Sequence, residues 1–229
     1  MAQNQKVAMV TGGNRGCGLA FVRRLCQLPF PGTVYLTSRD EARGREAVEQ
    51  LKGEGLNPSY QQLDLGDSAS IRRFVDFIKR THGGIDVVIA NGAMPFPKQM
   101  TVAEIEATLR VNNKGNAELC CALMPLLRPQ ARMLIVSSGF GQVVHLGPEL
   151  RKRFLATDTM TVAELNGLLD EYMAAVKDGS FKEKGWPDWC NKMSKIGLVA
   201  LARILAREAS SDRSRPGILV NAVCPGTGL

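Results

Sequence analysis

Thr11-Gly12-Gly13-Asn14-Arg15-Gly16-Cys17-Gly18 follows the apolar run Val7 to Val10 and opens a segment with apolar residues at Leu19, Val22, Leu25 and Leu28. A short apolar run, a glycine-rich turn and a helical period predict strand, turn and helix in succession. Glycine permits positive φ and close approach of backbone to a ligand, and a helix start presents free N–H groups at the positive end of its dipole. Such a turn suits the pyrophosphate of a dinucleotide, and it also suits plain tight packing. The spacing is TGxxxGxG rather than GxGxxG.

Outward from that turn the same rhythm continues. Thr33 to Thr37 reads as a strand, Glu41 to Lys52 as a helix with Ala42, Val48 and Leu51 inward, and Tyr60 to Leu63 as a third strand. Asp67 caps a helix carrying Ile71, Phe74, Val75 and Ile78, and Ile85 to Ala90 is a strand whose only charge is Asp86. Thr101-Val-Ala-Glu104 is a capping box before a long helical region to about Arg128, and Arg132 to Val136 forms a fifth strand ending at Ser137-Ser138. A helix over Lys192 to Ala209 and a sixth strand over Ile218 to Val223 follow. The expected fold class is α/β, a Rossmann-type doubly wound parallel sheet with helices on both faces.

Residues 139–185 interrupt the alternation, with helical patterns at Glu149 to Ala156 and behind a second capping box, Thr161-Val-Ala-Glu164. This helical insertion falls at the carboxyl end of the sheet, where ligands sit. It reads either as the wall of a substrate pocket or as a surface lid.

Composition narrows the class. With 229 residues, 45% of them hydrophobic, the chain is expected to form one dinucleotide-binding domain over 1–229. The six cysteines show no CxxC spacing and only His82 and His145 are available as imidazole ligands, so a reduced cytoplasmic protein without a metal site is expected. Met1 to Lys6 is polar and the apolar run behind it lasts four residues, too short for a signal segment or a membrane span. The net charge of +7 is scattered among acids without basic runs, which argues against a nucleic-acid partner and suits a polyanionic ligand.

The second strand ends Thr37-Ser38-Arg39-Asp40, where a dinucleotide fold grips the adenosine ribose. An acid at its tip would favour NAD; a serine followed by Arg39, with Arg15 in the glycine turn, offers guanidinium groups to a 2′-phosphate and so favours NADP(H). Arg39 also reads as a solvated charge at a helix start. Asp64, with Leu65 behind it, is placed to meet the adenine, and Asn91, with Gly92, to border the cofactor; both polar residues also read as turn caps.

These motifs together resemble the short-chain dehydrogenase/reductase family, and the long insertion is similar to that of its monomeric carbonyl reductase branch. The resemblance implies NADP(H) held by Gly12, Asn14, Arg15, Gly16, Cys17, Gly18, Arg39, Asp64, Leu65, Asn91 and Gly92, and a small-molecule carbonyl substrate. The family's Asn-Asn-Ala-Gly segment stands here as Ala90-Asn91-Gly92-Ala93, its structural asparagine falls on Asn112, its catalytic serine on Ser138, and its Pro-Gly turn beside the nicotinamide on Pro225 and Gly226. The family's acid is a tyrosine four residues before a lysine; the lysine is Lys195, and Asn191 occupies the tyrosine position. The resemblance makes Ser138 the group that polarises the carbonyl, Lys195 the holder of the nicotinamide ribose, and Asn112 a support for Lys195 through water.

An amide is far too weak an acid to replace the phenol, although it can hydrogen-bond a carbonyl oxygen. Of the three tyrosines, Tyr35, Tyr60 and Tyr172, only Tyr172 in the insertion is placed to approach the site. The sequence stops at Gly226-Thr227-Gly228-Leu229, where the family adds a loop, a helix and a seventh strand, so an incomplete pocket and an unpaired sheet edge are expected. Two functions follow: an NADPH-dependent carbonyl reductase with reduced or lost activity, or a non-catalytic NADP-binding sensor or partner-binding protein.

Overall fold

Val7, Ala8, Met9 and Val10 are entirely buried, as a strand needs to be when helices cover both faces of its sheet. The computed structural model describes residues 5–95, 97 and 99–226, so the polar start at Met1 to Asn4 and the ending at Thr227 to Leu229 lie outside the described residues. The elements are β1 (Lys6–Val10), α1 (Gly16–Gln27), β2 (Gly32–Ser38), α2 (Glu41–Gly53), β3 (Ser59–Gln62), α3 (Ser68–His82), β4 (Ile85–Ala90), α4 (Val102–Leu109), α5 (Asn116–Leu123), β5 (Leu127–Val136), α6 (Pro148–Leu155), α7 (Val162–Lys177), α8 (Cys190–Ser211) and β6 (Leu219–Val223). All pairings are parallel, in the order β3-β2-β1-β4-β5-β6. The order reverses between β1 and β4, which opens a crevice at their carboxyl ends. No helix among the described residues is long and apolar enough to cross a membrane.

Two apolar layers flank the sheet. Val22, Val34, Leu36, Val48 and Leu51 fill the side under α1 and α2, and Met9, Phe74, Leu119, Met133, Ile196 and Leu205 belong to the larger side under α3, α5 and α8. In α2 the inward stripe is Gly44, Ala47, Val48 and Leu51, and Ala42 is exposed. The helical period explains this correction, because Ala42 lies too far round from Val48 to share its face.

The long helix expected after Thr101 is broken. Its capping box is present, but α4 passes into a π turn at Arg110–Gly115 before α5 begins. The buried Asn116 amide donates to the carbonyls of Val111 and Asn112 at 3.4 and 3.0 Å, which competes with the regular helical ladder. Gly115 makes the fit possible, since a Cβ there would lie 2.0 Å from the Leu65 carbonyl oxygen.

β5 starts earlier than Arg132. Leu127 pairs with Ile85, the chain then bulges through Gln130 at φ +66°, and pairing resumes at Arg132 opposite Val87. Pro129 masks this strand in the sequence pattern. Arg128 in the bulge reaches the lone charge of β4: Asp86 Oδ2 accepts from Arg128 Nη1 at 2.9 Å and from the Val7 backbone N–H at 2.8 Å. Removing a charged acceptor with two partners is worth about 2 kcal/mol. Asp86→Ala is therefore expected to lower the unfolding free energy by that amount, moving the urea midpoint down with an unchanged slope; an unmoved midpoint would show the carboxylate to be solvated.

Candidate functional site

The glycine turn sits where β1 delivers the chain to the crevice. Gly12 and Gly16 have φ of +62° and +54°, which L side chains rarely adopt. Thr11 Oγ1 accepts from the backbone N–H groups of Asn91 and Gly92 at 2.9 and 2.6 Å, and Asn91 Nδ2 donates to Thr11 O at 3.0 Å. The end of β4 is thereby bolted to the turn. A Cβ on Gly18 would lie 2.1 Å from Gly12 O and 2.7 Å from Asn91 Nδ2, whereas one on Gly16 would meet nothing within 4 Å. Gly18→Ala is expected to destabilise the fold by about 1–3 kcal/mol, as overpacking does. Gly16→Ala should carry only its positive-φ strain, roughly 1–2 kcal/mol. Thermal unfolding of the two variants checks the order, and a Gly18→Ala protein as stable as wild type would refute the packing.

A cavity of about 410 Å³ opens over this turn. Every residue of the first expected set borders it: Gly12, Asn14, Arg15, Gly16, Cys17, Gly18, Arg39, Asp64, Leu65, Asn91 and Gly92. Asp64 and Asn91 also do the humbler job expected of them, since Asp64 Oδ1 caps the Gly66 N–H at 2.8 Å.

Guanidinium groups outnumber carboxylates in the cavity lining. Arg15 and Arg39 have no ion pair among the described residues. Arg43, which the sequence reading missed, also borders the cavity. Its place in the first turn of α2, three residues past the Asp40 cap that follows Arg39, was the available signal. Arg43 Nε lies 3.5 Å from Asp40 Oδ2, a solvent-exposed pair of little worth. Asp40 itself is engaged as the N-cap of α2, accepting from the Arg43 backbone N–H. α1 begins with no acidic residue in its first turn and no side-chain cap, so its N–H groups remain free for an anion. Open space over Gly16, a bare helix start and two unpaired guanidiniums fit a dinucleotide with an extra phosphate on its ribose.

The remaining expected residues, Asn112, Ser138, Asn191, Lys195, Pro225 and Gly226, do not border that cavity. The start of α8 is drawn onto the end of β5. Lys195 Nζ donates to Val136 O at 3.1 Å, and Ser137 Oγ donates to Lys195 O at 3.0 Å. Burial holds the Lys195 pKa below the usual lysine value, while nearby Cys224 works in the opposite direction. Ser138 Oγ accepts from the Phe140 N–H at 3.1 Å, which leaves its own proton free to donate. Phe140 meets Trp189, the residue before α8, edge to face at 5.1 Å. Ser138 and the start of α8 are thus locked together by an aromatic pair.

Asn191 is 1% exposed and its Nδ2 has no partner among the described residues, an orphaned buried donor at the position of the expected acid. Beside it Cys190 packs its sulfur 3.6 Å from that of Met100, and burial pushes the thiol pKa up to about 11. Asn112 is buried in the π turn, where its Oδ1 accepts from the Met94 N–H at 2.7 Å; no direct bond joins it to Lys195. The neighbouring Asn113, absent from the sequence reading, ties the π turn to α8 by donating to Ser194 O at 2.9 Å. Tyr172 does not reach the site as an acid. It is 1% exposed, tilted against Trp186 at 5.6 Å, and burial drives its phenol well above the usual range. Cys224, Pro225 and Gly226 are exposed after β6.

The family model described as short chain dehydrogenase matches residues 6–147. Carbonyl reductase [NADPH] 1 of Pongo abelii is 42% identical over 232 residues, covering 99% of this chain and 83% of the relative. The protein of the same name from Homo sapiens is 41% identical with the same coverage. Among solved structures, salutaridine reductase from Papaver somniferum superposes with a TM-score of 0.85 at 26% identity, over 97% of this chain and 86% of that one. Menthone neomenthol reductase from Mentha piperita gives 0.84 at 29% identity, over 97% and 90%.

Proposed function

The chain belongs to the short-chain dehydrogenase family, and from that premise we propose that it binds NADP(H) across its glycine turn and reduces the carbonyl group of small molecules, slowly, without the family's phenol. The observation that carries the reading is the cavity wall, where the bare start of α1 faces the free guanidiniums of Arg15 and Arg39 with Arg43 alongside. Arg39 and Arg43 hold a 2′-phosphate, Asp64 and Leu65 border the adenine, and Asn91 and Gly92 keep the turn in place. Bound there, NADPH supplies a hydride to the carbonyl carbon of a ketone, aldehyde or quinone.

The chain's own residues handle the oxygen. The free hydroxyl proton of Ser138 is a neutral donor for it, stabilising charge as it develops. Lys195 and the Pro225-Gly226 turn border the nicotinamide and its ribose, and Asn112 steadies the loop after β4 at Met94. The rim is apolar: Phe140 is 36% and Val144 60% exposed on the turn after Ser138. An aromatic or alicyclic carbonyl compound suits such a rim better than a charged one. α7 packs on α4, and Lys114 of the π turn donates to Asp170 of α7 at 2.6 Å, covering that face of α4, which fits a monomer.

A second reading, an NADP(H)-binding protein without turnover, is favoured by the sealing of Asn191. Mixing the protein with NADPH and an aromatic aldehyde or quinone separates the two. Fluorescence enhancement on mixing followed by slow decay supports reduction; stable enhancement supports binding alone.

A further inference from the structure

We propose that Lys195 is the proton donor of this site, taking over the step for which the phenol is missing; the inference rests on the NADP(H)-dependent carbonyl reduction proposed above. Asn191 and Lys195 stand one helical turn apart on one face of α8. Lys195 Nζ reaches the end of β5 at Val136, two residues before Ser138, so the ammonium and the hydroxyl flank the same strand end. An ammonium has three protons to donate, and the Val136 carbonyl is its one hydrogen-bond partner among the described residues. It is also unneutralised. Lys192, on the same turn, is held by Asp188 at 2.8 Å, but no carboxylate pairs with Lys195 among the described residues.

The surroundings push in the needed direction. A buried ammonium gives up its proton more readily than a solvated one, and burial is the leading influence on Lys195. The titratable group that acts on it is Cys224, beyond β6. β5 presents Val136, Ser137 and Ser138, and the π turn presents Asn112 and Asn113, all without charge. The other oxygen and amide donors are far weaker acids, and Tyr172 is sealed against Trp186. As the hydride joins the carbonyl carbon, the π pair of C=O moves to oxygen and an N–H bond of the Lys195 ammonium breaks. The electron pair stays on Nζ, the proton completes the alcohol, and water reprotonates the neutral amine.

The experiment is a pH–rate profile of NADPH-dependent reduction, beside an NMR titration of the lysine side chains in which Lys195→Arg identifies the Lys195 signal. Arginine keeps the charge but does not deprotonate. The proposal expects kcat to fall as pH rises through the pKa read by NMR, a pKa below 10.5. It expects Lys195→Arg to lose about 100-fold or more in kcat while still enhancing NADPH fluorescence, and to lose under about 10-fold in an Asn191→Tyr background, where a phenol carries the proton. A profile flat through the Lys195 titration, a Lys195→Arg variant as fast as wild type, or a limb abolished by His145→Gln instead would overturn it. So would NADPH binding with no turnover at any pH. Absence of NADPH binding would remove the cofactor reading itself, a different failure.

Discussion

Asn191→Tyr is expected to raise carbonyl reduction by about two to four orders of magnitude in kcat, the usual worth of a positioned general acid. The tyrosine would stand one turn before Lys195, whose unneutralised ammonium lowers the pKa of a neighbouring phenol. The scaffold for the acid is already built: Ser138 is oriented by Phe140, Phe140 by Trp189, and Lys195 by Val136. The cost is space. Asn191 is 1% exposed, so the larger ring must displace part of what encloses it, an overpacking cost of about 1–3 kcal/mol. The expected variant is less stable and much faster. Steady-state kinetics with NADPH and an aromatic aldehyde check it, and a folded, NADPH-bound variant no faster than wild type would mean that Asn191 does not occupy the acid's position.

The double variant Arg39→Ala, Arg43→Ala is expected to weaken NADPH binding by roughly 100- to 10,000-fold and to leave NADH binding within a few-fold of its starting value. Charge-assisted hydrogen bonds to phosphate contribute about 1.5–3 kcal/mol each, and every 1.4 kcal/mol is tenfold in affinity. Both line the cavity, Arg39 just before the Asp40 cap and Arg43 in the first turn of α2, and neither is committed to a buried partner. Losing them should therefore spare the fold. Titrations of both nucleotides read the outcome, and an equal loss for NADPH and NADH would place these arginines on the pyrophosphate or the protein surface instead.

How much of this was legible in the sequence depended on whether the determining contact was local. The six strands, both capping boxes and the Asp67 cap follow from period, composition and short-range hydrogen bonds, and all are present. The π turn was hidden because Asn116 and Gly115 act through carbonyls of Val111 and Asn112 and through Leu65, a contact far away in the chain. The early start of β5 was hidden by Pro129, although Asp86 in β4 left a trace of it, a charge that only Arg128 and the Val7 N–H explain. In the site, the residues of the glycine turn and the strand ends were readable because they are consecutive. Arg43 was missed because it belongs to the site through helix geometry, and Asn113 because its partner is eighty-one residues away. The burial of Asn191 also depends on tertiary packing, and no local pattern announces it.

The central claim is that the cavity over Thr11 to Gly18 is built for NADP(H). The direct measurement is a fluorescence titration of the unaltered protein with NADPH and, separately, with NADH. Micromolar or tighter NADPH binding, with NADH at least about 100-fold weaker, is the predicted result, since the 2′-phosphate is the one difference between the ligands. No binding of either nucleotide, or equal binding of both, would contradict it.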